Sequence, residues 1–183
     1  MVGGAGNVAL NVASVRGHGY LISVVGQDED GDTVQRLLNE NPNITTKLEI
    51  DSQRPTTKKT RFLAAGHQFL RLDRESSEPI NPAVEQNICK AFDAALRQAD
   101  VVIVSDYGKG LLTDTLLSHL VASARAANIS VLVDPKRRNF AAYNGATLIK
   151  PNLPELRGAT GLECVDSASS EQAARMVIQQ TGA

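Results

Sequence analysis

The 183-residue sequence predicts an α/β fold: a mostly parallel sheet covered by helices on both faces, with a small all-strand lid. Three observations carry this expectation. Apolar, strand-like runs alternate with amphipathic helical stretches near both ends of the chain. Between them lie three strand patterns in succession with no helix, and these must leave the main sheet as a flap. Three later runs, Val101–Val104, Val131–Val133 and Ala146–Ile149, each end in charged or amide residues with Gly or Pro. In a parallel sheet such strand ends meet at the crevice where ligands bind.

The elements follow in order. Ala5 to about Val15, rich in Ala, Val and Asn, reads as a helix stopped by Gly17–Gly19, and Tyr20–Val25 as the next strand. Asp28, Glu29 and Asp30 place acids at the start of a helix through Leu38, favourable for its dipole. Ile44–Ile50, Thr57–Ala65 and Gln68–Asp73 are the three successive strands, the last two joined around Ala65-Gly66-His67, and the lid is expected over residues 44–74. From Pro82 the alternation resumes: a helix to Gln98, a strand at 101–104, a helix at 114–126, strands at 131–133 and 146–149, and a helix near 153–160. Ser170–Gln180 closes the series as a helix with Ala173, Ala174, Val177 and Ile178 on one stripe.

Several motifs carry chemistry, and each has a plainer alternative. Gly3-Gly4-Ala5-Gly6-Asn7 is backbone that can approach a ligand closely, since glycine has no Cβ. It reads as a sugar-contacting loop, as a tight start to a helix, or as a G-x-G-x-x-A dinucleotide fingerprint with an acid cluster about 20 residues on. Asn7 either binds a substrate hydroxyl or caps the helix. In the lid, Arg54, Lys58, Lys59, Arg61, Arg71 and Arg74 face a single acid, Asp73. Alternation puts Lys59, Arg61 and Leu63 on one strand face, where two bases suit a phosphate; a solvated ribbon protected from edge pairing is the alternative. His67 reads as a turn residue.

In Ser105-Asp106-Tyr107-Gly108-Lys109-Gly110, the glycines let the turn pass close to a substrate. Asp106 then accepts a sugar hydroxyl and Lys109 holds a phosphate, or Asp106 caps its own loop and Lys109 stands in solvent. Lys136 opens the basic run Lys136-Arg137-Arg138, read as solvated surface or as a phosphate contact. Asn152 and Glu155, three apart on a nascent helix, share one side. They suit a nucleotide phosphate and a water-bound magnesium, which keeps several waters and few protein ligands; an ordinary first-turn acid is the alternative for Glu155.

Composition narrows the class. Hydrophobic residues make up 42% and aromatics 4%, with no Trp, as an aliphatic α/β interior requires. A formal net charge of −1 gives no global pull toward nucleic acid or a membrane surface. No run approaches the roughly 18 apolar residues of a membrane span. Cys89 and Cys164 fit no metal spacing and read as reduced. A cytoplasmic domain is the expectation, with no nucleic acid or membrane partner.

Together these segments resemble the PfkB/ribokinase family of carbohydrate kinases, and within it the heptose 7-phosphate kinase domain of bifunctional ADP-heptose synthases. The resemblance rests on Gly3 to Asn11, Val25 to Gly31, Thr57-Lys58-Lys59-Thr60-Arg61, Leu70-Arg71-Leu72-Asp73, Ser105 to Gly110, Asp134-Pro135-Lys136 and Gly145 to Asn152. It implies a ribokinase-like three-layer sandwich with a mostly parallel sheet and a small β-lid that often helps form a homodimer. It implies transfer of the ATP γ-phosphate, with Mg2+, to the anomeric hydroxyl of heptose 7-phosphate. Gly3, Gly4, Asn7, Lys59, Arg61, Asp106 and Lys109 would then serve the sugar phosphate. Lys136, Asn152 and Glu155 would serve the nucleotide, with Glu155 on the metal through water. The family's Gly-Ala-Gly-Asp motif, whose aspartate is the base, has no counterpart beyond Thr181-Gly182-Ala183, and a first strand is missing before Gly3. The chain is therefore expected to be a partial kinase domain, inactive alone. Another sugar as substrate (fructose, ribose or 2-keto-3-deoxygluconate), or a non-catalytic binding module, are the alternatives.

Overall fold

Local sequence sets each element of the structure, a computed structural model that describes residues 1–64 and 66–183. The segment α1 (Gly4–Ser14) starts from Gly3 in extended conformation and buries Gly6, Ala9 and Ala13. A Cβ on Gly6 would lie 2.2 Å from Val2 Cγ1, so this glycine serves close packing. β1 (Gly19–Val25) follows, then α2 (Glu29–Asn39), capped by the Asp28 carboxylate accepting from Gly31 N at 3.0 Å. Asp28 sits where the positive end of the helix dipole favours an anion.

The chain forms two compact units, residues 1–88 with 109–111, and residues 89–108 with 112–183. In the first, β2 (Ile44–Ile50) pairs in parallel with β1, Gly19 opposite Ile44 through Val25 opposite Ile50. This corrects the expected lid boundary: 44–50 belongs to a β–α–β crossover, and only β3 (Lys58–Ala64) and β4 (His67–Arg74) form an antiparallel hairpin. The reason is apolar area. Ile44 and Leu48 join Val2, Ala9, Ala13 and Leu38 in one core cluster, whereas β3 and β4 are exposed almost throughout. Ala65, placed in the hairpin turn by sequence, lies outside the described residues.

α3 (Pro82–Leu96) buries Val84, Ile88, Phe92 and Leu96 along one stripe. In the second unit, β5 (Val101–Ser105), β6 (Ser130–Asp134) and β7 (Leu148–Ile149) form a parallel sheet in the order β5-β6-β7. α4 (Asp114–Ala126), capped by Thr113, crosses from β5 to β6 and buries Leu116, Leu117, Leu120, Val121 and Ala124. A 3-10 turn, Phe140–Tyr143, was not expected from periodicity; Phe140 and Tyr143 are fully buried, ring edge against face at 5.8 Å. α5 (Leu153–Thr160) and α6 (Ser167–Thr181) complete the unit. No disulfide joins Cys89 and Cys164. Among the described residues no helix is long and apolar enough to cross a membrane.

Candidate functional site

The residues expected to bind ligand divide between the units. Gly3, Gly4, Asn7, Lys59, Arg61 and Lys109 lie in the first, Asp106, Lys136, Asn152 and Glu155 in the second.

In the first unit the glycine segment is open. A Cβ on Gly3 would meet nothing within 4 Å among the described residues, and Gly4 has φ +54°. Asn7 is exposed in the first turn of α1 and does not cap it; the cap is Gly3, which has no side chain. The hairpin separates two kinds of surface. Cross-strand partners Lys59 and Asp73, Arg61 and Arg71 share one face; Phe62, Leu70 and Leu72 lie on the other. A register shift after Phe62 leaves Phe69 of β4 without a partner in the ladder, so the irregularity falls on β4 and not on the strand carrying Lys59, Arg61 and Leu63.

Lys59 and Lys109, fifty residues apart in sequence, meet on one carboxylate. Glu75 Oε2 accepts from Lys59 Nζ at 3.1 Å and Glu75 Oε1 from Lys109 Nζ at 2.5 Å. Asp73 accepts from Lys59 at 3.2 Å and from the Arg71 guanidinium at 2.9 and 2.6 Å. Three cations thus surround two carboxylates. The hydrogen bond to Glu75 raises the Lys59 pKa, and the Lys109 bond, followed by that of Lys59, holds Glu75 below its ordinary value. Arg61 makes no ion pair among the described residues. Glu75 was missed by sequence reasoning, although Arg71, Asp73 and Glu75 keep a period of two that places them on one side of an extended strand.

Arg54, counted among the lid bases, is instead buried. It pairs with buried Asp51 at 3.0 Å and donates to the carbonyls of Lys109 (3.0 Å) and Glu78 (2.8 Å). Burial pushes the Asp51 pKa up, but the Gln53 amide and Arg54 outweigh it, and the net value is lowered. Gly110, read as freeing the turn for a substrate, instead sits against protein: a Cβ there would lie 1.8 Å from Glu78 O, at φ +74°. Its carbonyl accepts from Ile80 N at 3.0 Å.

In the second unit Asp106 is buried, and its carboxylate is engaged internally. Oδ1 accepts from Gly108 N at 2.7 Å; Oδ2 accepts from Tyr143 Oη at 2.7 Å and Arg137 Nε at 3.3 Å. This is the geometry of the loop-capping alternative. Arg137 also donates to Asp114 and to the Leu112 carbonyl, which corrects its reading as part of a solvated basic run. Lys136 keeps its side chain half exposed, with Nζ 3.6 Å from Glu155 Oε1. Asn152 and Glu155 form a capping box for α5: Asn152 Oδ1 accepts from Glu155 N and Glu155 Oε2 from Asn152 N, both at 2.9 Å. Only Oε1 of Glu155 remains outside that box. Among the described residues no three His, Cys, Asp or Glu side chains gather to hold a metal. One outward carboxylate oxygen fits a magnesium that keeps its waters, and does not fit a protein-caged cation.

Two surface grooves contain none of these residues. One of about 600 Å³ is bordered by Ser118, Val121, Arg125 and Ala142, and one of about 490 Å³ by Asp32, Gln35 and Arg36. The second is lined wholly by polar side chains of α2 and its C-cap, Asn39 and Glu40 among them, with no apolar wall of the kind that usually lines a small-molecule site.

The sequence matches the pfkB family of carbohydrate kinases over residues 1–183. The chain belongs to the pfkB family. Among curated relatives, the bifunctional protein HldE of Gluconacetobacter diazotrophicus is 44% identical over 183 residues, all of this chain and 38% of that protein. The chain thus spans less than two fifths of this relative's length. Among solved structures, the tetrameric inhibited form of Escherichia coli phosphofructokinase-2 superposes with TM-score 0.76 at 18% identity, covering 98% of this chain and 59% of that one. Arabidopsis thaliana ribokinase complexed with ribose and ATP gives 0.72 at 15% identity, covering 96% and 56%. These likenesses establish the pfkB chain as ribokinase-like in fold, as the alternating elements predicted.

Proposed function

We propose that this chain is the sugar-phosphate- and nucleotide-binding part of a cytoplasmic ATP-dependent kinase that phosphorylates the anomeric hydroxyl of heptose 7-phosphate. The observation that carries the reading is the meeting of Lys59 and Lys109 on Glu75. Two ammonium groups from distant segments converge where a substrate phosphate is expected, and Arg61 on the same hairpin face adds a third cation with no internal ion pair among the described residues. A phosphate dianion competes with Glu75 for the two lysines through charge-assisted hydrogen bonds. Gly3 leaves open space for the sugar ring, and the exposed Asn7 amide suits a ring hydroxyl. Asp106 serves this reading as the residue that shapes its loop.

For the nucleotide, Lys136 Nζ would contact a phosphate, Asn152 orders the start of α5, and Glu155 Oε1 would hold the metal through water. Bound magnesium supplies charge neutralisation on the transferred phosphoryl oxygens. What the chain's residues do is position: phosphoryl transfer depends on alignment and charge stabilisation more than on covalent chemistry by protein groups. The apolar hairpin face, Phe62, Leu70 and Leu72, each about half exposed, is the surface we assign to a homodimer.

The test is phosphoryl transfer by a protein of the relatives' length carrying this segment. Incubated with ATP, magnesium and heptose 7-phosphate, it is expected to yield the 1,7-bisphosphate, visible as a new anomeric resonance by phosphorus NMR. Transfer to unphosphorylated sugars at an equal rate would contradict the role given to the lysines.

A further inference from the structure

One buried hydroxyl outside every motif considered above ties the two loops of the second unit together. Tyr143 Oη donates to Asp106 Oδ2 at 2.7 Å, in the loop after β5. The same oxygen accepts from the backbone amides of Lys136 at 3.2 Å and Arg137 at 3.4 Å, in the loop after β6. Arg137 closes the ring by donating back to Asp106 Oδ2 at 3.3 Å. The loops also touch directly, since a Cβ on Gly108 would lie 3.6 Å from Lys136 Cγ.

We propose that Tyr143 is a positioning residue for nucleotide binding: its hydroxyl fixes the main chain of Lys136, and so the place from which the Lys136 ammonium reaches a phosphate. This rests on the assignment of Lys136 to the nucleotide made above. The side chain of Lys136 is about half exposed and, among the described residues, held only by its 3.6 Å pairing with Glu155 Oε1, so the starting point of its reach is set by its own backbone. That backbone has its amide held by Tyr143, and the ring behind the hydroxyl is fully buried against Phe140. A phenol suits the position because one oxygen both donates to a carboxylate and accepts from amides. Burial, and next the hydrogen bond to Asp106, push its pKa up, which favours the protonated, donating phenol.

Tyr143→Phe keeps the ring and its packing while removing all three hydrogen bonds. The chain is titrated by calorimetry with magnesium ATP and, separately, with heptose 7-phosphate, and amide exchange is followed by NMR. Tyr143→Phe is expected to weaken ATP binding about tenfold, to leave sugar-phosphate affinity within about twofold, and to speed exchange at Lys136 and Arg137. Val177→Ala, a buried substitution in α6, should lower thermal stability with no change in ATP affinity. Equal ATP affinity for Tyr143→Phe and wild type overturns the proposal, as does equal weakening toward both ligands. A wild-type chain that binds the sugar phosphate and no ATP overturns the nucleotide assignment of Lys136 itself, a failure distinguishable from the first.

Discussion

At the scale of single residues, carboxylates do different work according to burial. Asp51 and Asp106 are nearly inaccessible and fully hydrogen-bonded, whereas Glu75 and Glu155 keep an edge toward solvent beside lysines. Removing one partner of a buried pair leaves the other charge uncompensated, so Arg54→Met should cost about 3 kcal/mol in denaturant unfolding. Glu75 is held only at a partly exposed bridge. Replacing it by glutamine removes the internal competitor for Lys59 and Lys109, and affinity for heptose 7-phosphate should rise about fivefold by calorimetry. Asp28 and Asp51 have pKa values below the ordinary 3.8, Asp28 chiefly through the Thr56 side chain. A depressed folded-state value contributes stability above the unfolded value and loses it as pH falls through the folded one. The thermal midpoint should therefore drop as pH is lowered below about 4. Asp28→Asn, which keeps a good cap, should make that drop shallower. Lys59 and Lys109 were legible from sequence as isolated bases; Glu75, Arg54 and Tyr143 were not, because each depends on at least one partner 34 to 55 residues away.

At the scale of elements, the helices followed directly from apolar periodicity and caps, and all three candidate strand ends in the second unit were visible as short apolar runs. The lid boundary was not. Ile44–Ile50 shows the same β-forming composition as the hairpin strands, and only its pairing with β1 and the burial of Ile44 separate it from them. The 3-10 turn was invisible because four residues give no period. Two predictions belong here. Gly110→Ala, at φ +74° against the Glu78 carbonyl, should destabilise the first unit by more than about 1 kcal/mol in chemical denaturation. Leu72→Asp, on the apolar hairpin face, tests the proposed homodimer: it should shift sedimentation from dimer to monomer and remove any dependence of the thermal midpoint on protein concentration.

For the chain as a whole, the family match across residues 1–183 and the alternating elements agree on a ribokinase-like fold. The glycine segment, the basic hairpin and the polar strand ends were each readable from sequence with two or more meanings. The structure gives the glycine segment open space and gives Lys59 and Lys109 a shared carboxylate. It turns Asp106 and Arg137 inward. The central claim is that Lys59 and Lys109 recognise a sugar phosphate. Titrating the chain with heptose 7-phosphate and with unphosphorylated heptose tests it most directly. The account predicts at least a tenfold preference for the phosphate ester, abolished in Lys59→Ala/Lys109→Ala. Equal affinity for the two sugars, or a preference that survives the double substitution, would contradict it.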